Sequence, residues 1–251
     1  MKNFGTSLKK LFSKGRCNVE NKYYIPDNLL GYENAKTTKG ESLGVMTGIL
    51  YLAPSDLSGV DLCPKASDGC RAACLYSAGR GAFESIQRAR LNKTYYFLEN
   101  RVEFLAQLER EIARAEKRAA LLKMRLAIRL NGTSDICWEL IAPQLFERFP
   151  NVQFYDYTKI FARLKKPLPK NYDLTFSRSE SNDCEAWAAL NLGFRVAAVF
   201  DSIPDFLPGV ELVDGDTHDI RFLNPAGSLV ALKAKGRARK DLSGFVIRGV
   251  N

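Results

Sequence analysis

The sequence predicts an α/β protein, a partial or near-complete (β/α) barrel behind an irregular N-terminal extension. Three observations lead there. Several short segments are near-continuous apolar runs, the pattern of strands buried on both faces. Helical periodicity fills the gaps between them, and strands alternating with helices imply a mostly parallel sheet, open or closed. The strands fall between residues 48 and 233, close enough together for one (β/α) domain.

The elements follow in chain order. Residues 1–44 are polar, basic and punctuated by Pro26, Gly31, Gly40 and Gly44, so they read as an irregular extension, with a single barrel-like domain over 45–251. Strands are expected at 48–53 (GILYLA), 124–130 (MRLAIRL), 152–157 (VQFYDY), 173–177 (DLTFS), 194–200 (FRVAAVF), 210–213 and 228–233 (SLVALK). Between residues 83 and 122, Phe97, Val102, Leu105, Leu108, Ile112 and Ala119 recur at near-helical spacing, with a break near Asn100 that divides the stretch into two helices. Trp138, Ile141, Leu145 and Phe149 mark another helix, and residues 185–192 a short one ended by Gly193.

Composition narrows the class. With 251 residues, 46% of them hydrophobic, the chain can bury a substantial core and is not disordered. No apolar run approaches the roughly 18 residues of a membrane helix, and no apolar segment follows the basic start as a secretory signal requires. A cytoplasmic location with reduced thiols is therefore expected. The formal charge of +9 is concentrated at the ends. Residues 1–19 hold Lys2, Lys9, Lys10, Lys14 and Arg16 and no acid. Residues 221–251 hold seven basic groups against Asp241 alone, which leaves the middle of the chain slightly acidic. Such ends suit a nucleic-acid backbone, or are simply solvated.

Half of the six cysteines fall in one loop, Cys63-Pro-Lys-Ala-Ser-Asp-Gly-Cys70-Arg-Ala-Ala-Cys74, directly after the first strong strand. Soft thiolates select zinc, copper(I) or iron–sulfur clusters. Structural zinc tends to use close cysteine pairs and four ligands, whereas this spacing is C-x6-C-x3-C and the single histidine, His218, is remote. Three thiolates leave one corner of a four-iron cluster open. Zinc, or three cysteines serving as small apolar residues, remain as alternatives. Cys137 is a candidate fourth ligand or a core thiol.

Ligands of parallel α/β folds bind beyond the carboxyl ends of the strands, and there this sequence gathers polar groups. Asn131, Ser177 and Lys233 are candidate substrate-binding residues, and Asp156 and Asp214 candidate proton carriers. Turn and cap chemistry offers a plainer explanation for each. Asp214, Asp216 and Asp219 form a pattern that could take a divalent cation, though without the glycine and distal glutamate of an EF-hand. No phosphate-binding loop, dinucleotide fingerprint or zinc-protease motif occurs, so those chemistries have no support.

The run from Cys63 to Gly81, with 129–135 (RLNGTSD), 155–159 (YDYTK) and 214–216 (DGD), is similar to a family of phage and plasmid proteins, the gene product eighty-eight-like family, over about residues 43–246. That resemblance implies a mobile-element source and a location in the host cytoplasm, and it carries no reaction with it. More distantly, the chain resembles radical S-adenosylmethionine enzymes, which place a three-cysteine loop after the first strand of a partial (β/α) barrel. This likeness implies that Cys63, Cys70 and Cys74 hold a 4Fe-4S cluster whose open iron binds S-adenosylmethionine and cleaves it reductively to a radical. The usual spacing there is C-x3-C-x2-C, and Asn131-Gly132-Thr133 stands where a Gly-Gly-Glu segment is usual.

Three functions are thus compatible with the sequence. One is an iron–sulfur enzyme acting on an unknown substrate. Another is a nucleic-acid-binding accessory or host-takeover protein with a structural or redox-sensing metal site. The third is an inhibitor of a host protein on an inherited enzyme fold, since function resides in sites rather than folds.

Overall fold

The computed structural model describes residues 23–32 and 39–249. The basic groups expected between residues 1 and 19, and Cys17, lie outside the described residues. Among the described residues, nine strands form one sheet: β1 (Leu30–Gly31), β2 (Val45–Leu50), β3 (Arg125–Arg129), β4 (Gln153–Thr158), β5 (Tyr172–Ser177), β6 (Val196–Phe200), β7 (Leu212–Asp214), β8 (Leu229–Lys233) and β9 (Val246–Ile247). The order is β1-β2-β3-β4-β5-β6-β8-β7, and every pairing is parallel except β1 with β2. β8 pairs along all five residues of β6, so β9, which pairs at Val199 and Phe200, extends the edge where β5 pairs at Val196 and Ala197.

The sheet is open. A closed barrel needs its last strand to pair with its first; here the free edge of β2 is taken by the short antiparallel β1, and that of β8 by the three-residue β7. The expectation of a near-complete barrel is corrected accordingly, while the mixed α/β class with a mostly parallel sheet holds.

Among the described residues, α-helices between the strands include α1 (Asp68–Ala72), α2 (Glu84–Glu99), α3 (Arg101–Leu121), α4 (Trp138–Ile141), α5 (Pro143–Arg148), α6 (Phe161–Leu164) and α7 (Asp183–Asn191). Apolar residues of α2 to α7 gather on one side of the sheet. Phe97 of α2, Phe104, Leu108 and Ile112 of α3, Trp138 of α4, Phe146 of α5 and Ala189 of α7 share a buried cluster with Met46, Leu126, Ile128, Phe154 and Leu174 of the strands. Successive strand residues face opposite ways, so Val45, Ala127 and Tyr155 face the other side and meet Ile220 instead.

The break between α2 and α3 lies at Asn100, whose φ of −130° and ψ of 60° are not helical. It resets the helical phase. Val102, expected on the apolar stripe, is 77% exposed, and the buried stripe of α3 is Phe104, Leu108, Ile112, Ala115 and Ala119. Phe104 stands edge-on to Tyr96 and Phe97 across the bend.

Residues 23–32 belong to the fold, although the sequence suggested an irregular extension there. Tyr23, Leu29 and Leu30 are in the main core. The buried carboxylate of Glu111 accepts hydrogen bonds from the amides of Leu29 (2.9 Å) and Leu30 (2.9 Å), and Gln107 donates to the carbonyl of Pro26 (2.9 Å). Glu111→Ala strands two buried amides, so it should destabilise the protein by about 2–4 kcal/mol in urea denaturation. A loss below about 1 kcal/mol would show that the segment contributes little. Among the described residues no helix is long and apolar enough to cross a membrane.

Candidate functional site

A cavity of about 360 Å³ opens beyond the carboxyl ends of the parallel strands. Each of its walls comes from a segment leaving the sheet. The loop after β2 supplies Cys63, Cys70 and Cys74; the turn after β3, Asn131, Thr133 and Asp135; β4 and the residue after it, Tyr157 and Lys159; β5, Ser177. Asp216, His218 and Asp219 follow β7, Lys233 and Lys235 lie at the end of β8, and Phe245 precedes β9.

The cysteine loop is fixed by hydrogen bonds. Ser67 caps α1, its hydroxyl accepting from the amide of Cys70 (3.2 Å) and donating to Glu180 (2.8 Å). The other oxygen of Glu180 accepts from the amide of Gly69 (2.8 Å). A Cβ on Gly69 would lie 2.1 Å from the Ser243 hydroxyl, so the loop needs glycine to approach so closely. Asp61 accepts from the Cys63 amide (2.8 Å) and pairs with Arg71 (2.9 Å).

The thiol of Cys63 accepts from the Ser55 amide (3.3 Å) and points at the Thr133 carbonyl (3.7 Å). Burial pushes it up to about 12, with Cys74, Asp135 and Cys70 adding to the rise. Burial also raises Cys74. Cys63, Cys70, Cys74, Cys137 and Cys184 are free thiols. Among the described residues no group of three or more His, Cys, Asp or Glu side chains is assembled to hold a metal ion. Cys137 faces a second cavity, beside Ile160 and Arg163, and so is not a fourth ligand in this arrangement.

The acidic triad is also divided. Asp219 pairs with the buried Arg129 (2.8 Å), Asp216 with Lys235 (2.7 Å), and the exposed Asp214 accepts from the Asp216 amide (2.8 Å). It is not a cation site.

Of the sequence-based site residues, the three cysteines, Asn131, Ser177 and Lys233 line the cavity, whereas Asp156 and Asp214 do not. Strand alternation explains Asp156: its neighbours Tyr155 and Tyr157 face the cavity side, so its own side chain enters the helix-covered side, where it is 1% exposed. There it accepts from the Asn131 amide (2.7 Å) and the Tyr172 hydroxyl (2.8 Å). Asn131 in turn is fully engaged, accepting from Ser134, the Ile136 amide and the Trp138 indole. Both are positioning residues for the turn that forms the cavity floor.

Burial pushes Asp156 up to about 7, against the opposing pull of Arg129, the Asn131 amide and Tyr172. An unfolded aspartate titrates near 3.8. From about pH 4 to about 7 the folded protein therefore holds a proton that the unfolded chain has released, and stability falls as pH rises. The slope attributable to this group is at most about 1.4 kcal/mol per pH unit. Asp156→Asn should flatten the pH dependence of the urea midpoint in that window. An unchanged slope would refute the assignment.

Several cavity groups are not among the sequence-based site residues. Lys159 donates to the Ser177 hydroxyl (2.6 Å) and lies 5.6 Å from the Phe245 ring centroid. Arg129 stacks 4.5 Å above Tyr157 while pairing with Asp219; an arginine inside an apolar strand was the signal available. Behind the cysteines, Arg90 is 9% exposed and sits between the rings of Tyr51 (5.1 Å) and Tyr76 (5.4 Å). Its Nε and Nη1 are buried without a hydrogen-bond partner among the described residues. The ring faces hold this cation in place of a carboxylate.

Comparison with known proteins bears on this geometry. A family model described as Gene product 88 matches residues 28–249. The chain belongs to the Gene product 88 family. The match begins two residues before β1 and runs through β9, so the Gene product 88 unit includes the segment tied down by Glu111 as well as the cysteine loop. No curated protein and no solved structure matches the chain.

Proposed function

We propose that the cavity is the active site of an iron–sulfur protein, with Cys63, Cys70 and Cys74 each binding one iron of a 4Fe-4S cluster. The observation that carries this reading is that three thiols from one loop line a single cavity at the carboxyl ends of a parallel sheet. A cluster takes each thiolate on a separate iron, so the sulfurs need to face a common space rather than meet around one ion. When bound, such a cluster with one open iron supplies one-electron reduction of a ligand, and S-adenosylmethionine is the co-substrate proposed for it.

The chain's own residues prepare the remainder of the site. Arg90 and Lys159 bring positive charge to the neighbourhood of Cys74 and offset the negative charge of ligating thiolates. Lys159, Ser177 and Lys233 are the groups available to hold a polar or anionic substrate, and the Asn131 turn holds the floor. Asp156 and Asp214 act by positioning Asn131 and Asp216. Free thiols accord with a reducing compartment such as the host cytoplasm.

Anaerobic reconstitution followed by electron paramagnetic resonance tests the reading. Reduced protein should show a cluster signal that changes on addition of S-adenosylmethionine. A signal insensitive to it would leave a structural cluster and remove the radical chemistry. Absence of any signal, with colourless protein, would overturn the proposal.

A further inference from the structure

We propose that the substrate of this cavity is a single nucleic-acid strand, gripped by the basic turn between Lys233 and Lys240; this rests on reading the cysteine-lined cavity as the active site. The segment Lys233-Ala-Lys-Gly-Arg-Ala-Arg-Lys240 separates its residues by environment. Ala234 and Ala238 are buried, while Lys233, Lys235, Arg237, Arg239 and Lys240 are all exposed. Among the described residues, Lys235 alone of these five pairs with a carboxylate, that of Asp216. Four unpaired cations in one short turn form a surface suited to a polyanion, whose condensed counterions they would replace.

The turn is packed onto the cysteine loop. Ala234, Ala238, Phe245 and Val246 form a buried cluster with Ala73, and Cys70 packs against it. Gly236 has a φ of +57°, and a Cβ there would lie 2.8 Å from the Cβ of Ala78, four residues beyond Cys74. An anion held by the turn therefore lies at the cavity mouth. Lys233 and Lys235 line the cavity itself, and Arg237, Arg239 and Lys240 are exposed on either side of Ala238, which also lines it.

Three exposed cations beyond the two that line the cavity favour a strand over a mononucleotide. The 3₁₀ turn Gly236–Lys240 spans roughly 10 Å at about 2 Å per residue, wider than a single phosphate group. The inner wall adds apolar Leu232, Val199 and Phe245, which suit a base, with Lys159 and Ser177 deeper in the site. A base reaches such a cavity only when it is out of the duplex stack, which argues for single-stranded or flipped substrate.

The test uses the full-length chain and a fluorescein-labelled single-stranded oligonucleotide, followed by anisotropy over a salt series. The variant Arg237→Ala/Arg239→Ala/Lys240→Ala should bind at least about tenfold more weakly, with the salt slope reduced by about 2, the value for three phosphate contacts to a single strand. A charge-matched control, Arg114→Ala/Lys117→Ala/Arg118→Ala on the exposed side of α3, should stay within about twofold, since binding through the turn does not depend on overall charge alone. Unchanged thermal unfolding of both variants would confirm that the comparison is between folded proteins. Equal losses in both variants, no binding by the parent protein, displacement of the strand by an equal concentration of mononucleotide, or tighter binding to phosphatidylserine vesicles would each overturn the proposal. Iron analysis of the reconstituted parent protein beside this titration separates the two readings. Turn-dependent binding by a parent protein that incorporates no iron would sink the cluster alone, whereas iron incorporation without turn-dependent binding would sink the strand alone.

Discussion

Arg163→Ala is expected to destabilise the protein by about 3–5 kcal/mol, the cost of breaking a buried ion pair from one side. Arg163 is 4% exposed and sits behind the cavity floor. Its Nε and Nη2 donate to the two carboxylate oxygens of Glu139 (2.9 and 2.7 Å), its Nη1 to Asp135 (3.1 Å), and Nη2 also to the Tyr172 hydroxyl (3.0 Å). Removing the guanidinium leaves two carboxylates facing each other in a site where burial already raises Asp135. The damage should reach the cavity, because Asp135 also accepts from the Lys159 amide (2.7 Å). Urea denaturation at pH 7 measures the loss. Arg163→Lys should recover part of it, since an ammonium keeps the charge without the planar fork. A loss below about 1 kcal/mol for the alanine variant, the size of an exposed pair, would contradict the network.

Asn131→Ala should cost about 3–4 kcal/mol, again by stranding buried partners. One amide oxygen accepts from Ser134 (2.9 Å), the Ile136 amide (3.0 Å) and the Trp138 indole (3.1 Å), while the amide nitrogen donates to the Ile136 carbonyl (2.9 Å). Asn131→Asp keeps the acceptor but loses the donor and puts a second carboxylate beside Asp156 (Nδ2 to Oδ2, 3.4 Å), so it should not restore stability. Full recovery by aspartate would show that only the acceptor matters.

These two residues show where the sequence was informative and where it was not. The apolar runs and helical spacings placed the main strands and the α2–α3 break, because burial on both faces and a 3.6-residue period leave a direct imprint. β1 and β9 are two residues each, too short to carry any period. Barrel closure was illegible for a different reason: it depends on which edges pair, and no single strand's pattern records that. The cysteine loop reads as a metal-binding loop from its thiols and its position after the first strand, and it lines the cavity. Asp156 was misread because its position at a strand end was considered and its phase was not; one residue either way in the alternation would have turned it into the cavity. Tyr157, and Lys159 one residue past β4, have the other phase and line it. The partners of Asn131, Asp135 and Arg163 come together only through the tertiary fold.

The most direct test of the central claim is the iron and acid-labile sulfide content of anaerobically reconstituted protein, measured beside Cys63→Ser/Cys70→Ser/Cys74→Ser. The parent protein should carry about three to four irons per chain with matching sulfide, and the variant close to none. Iron-free parent protein, or equal iron in both, would contradict a cluster held by these three cysteines.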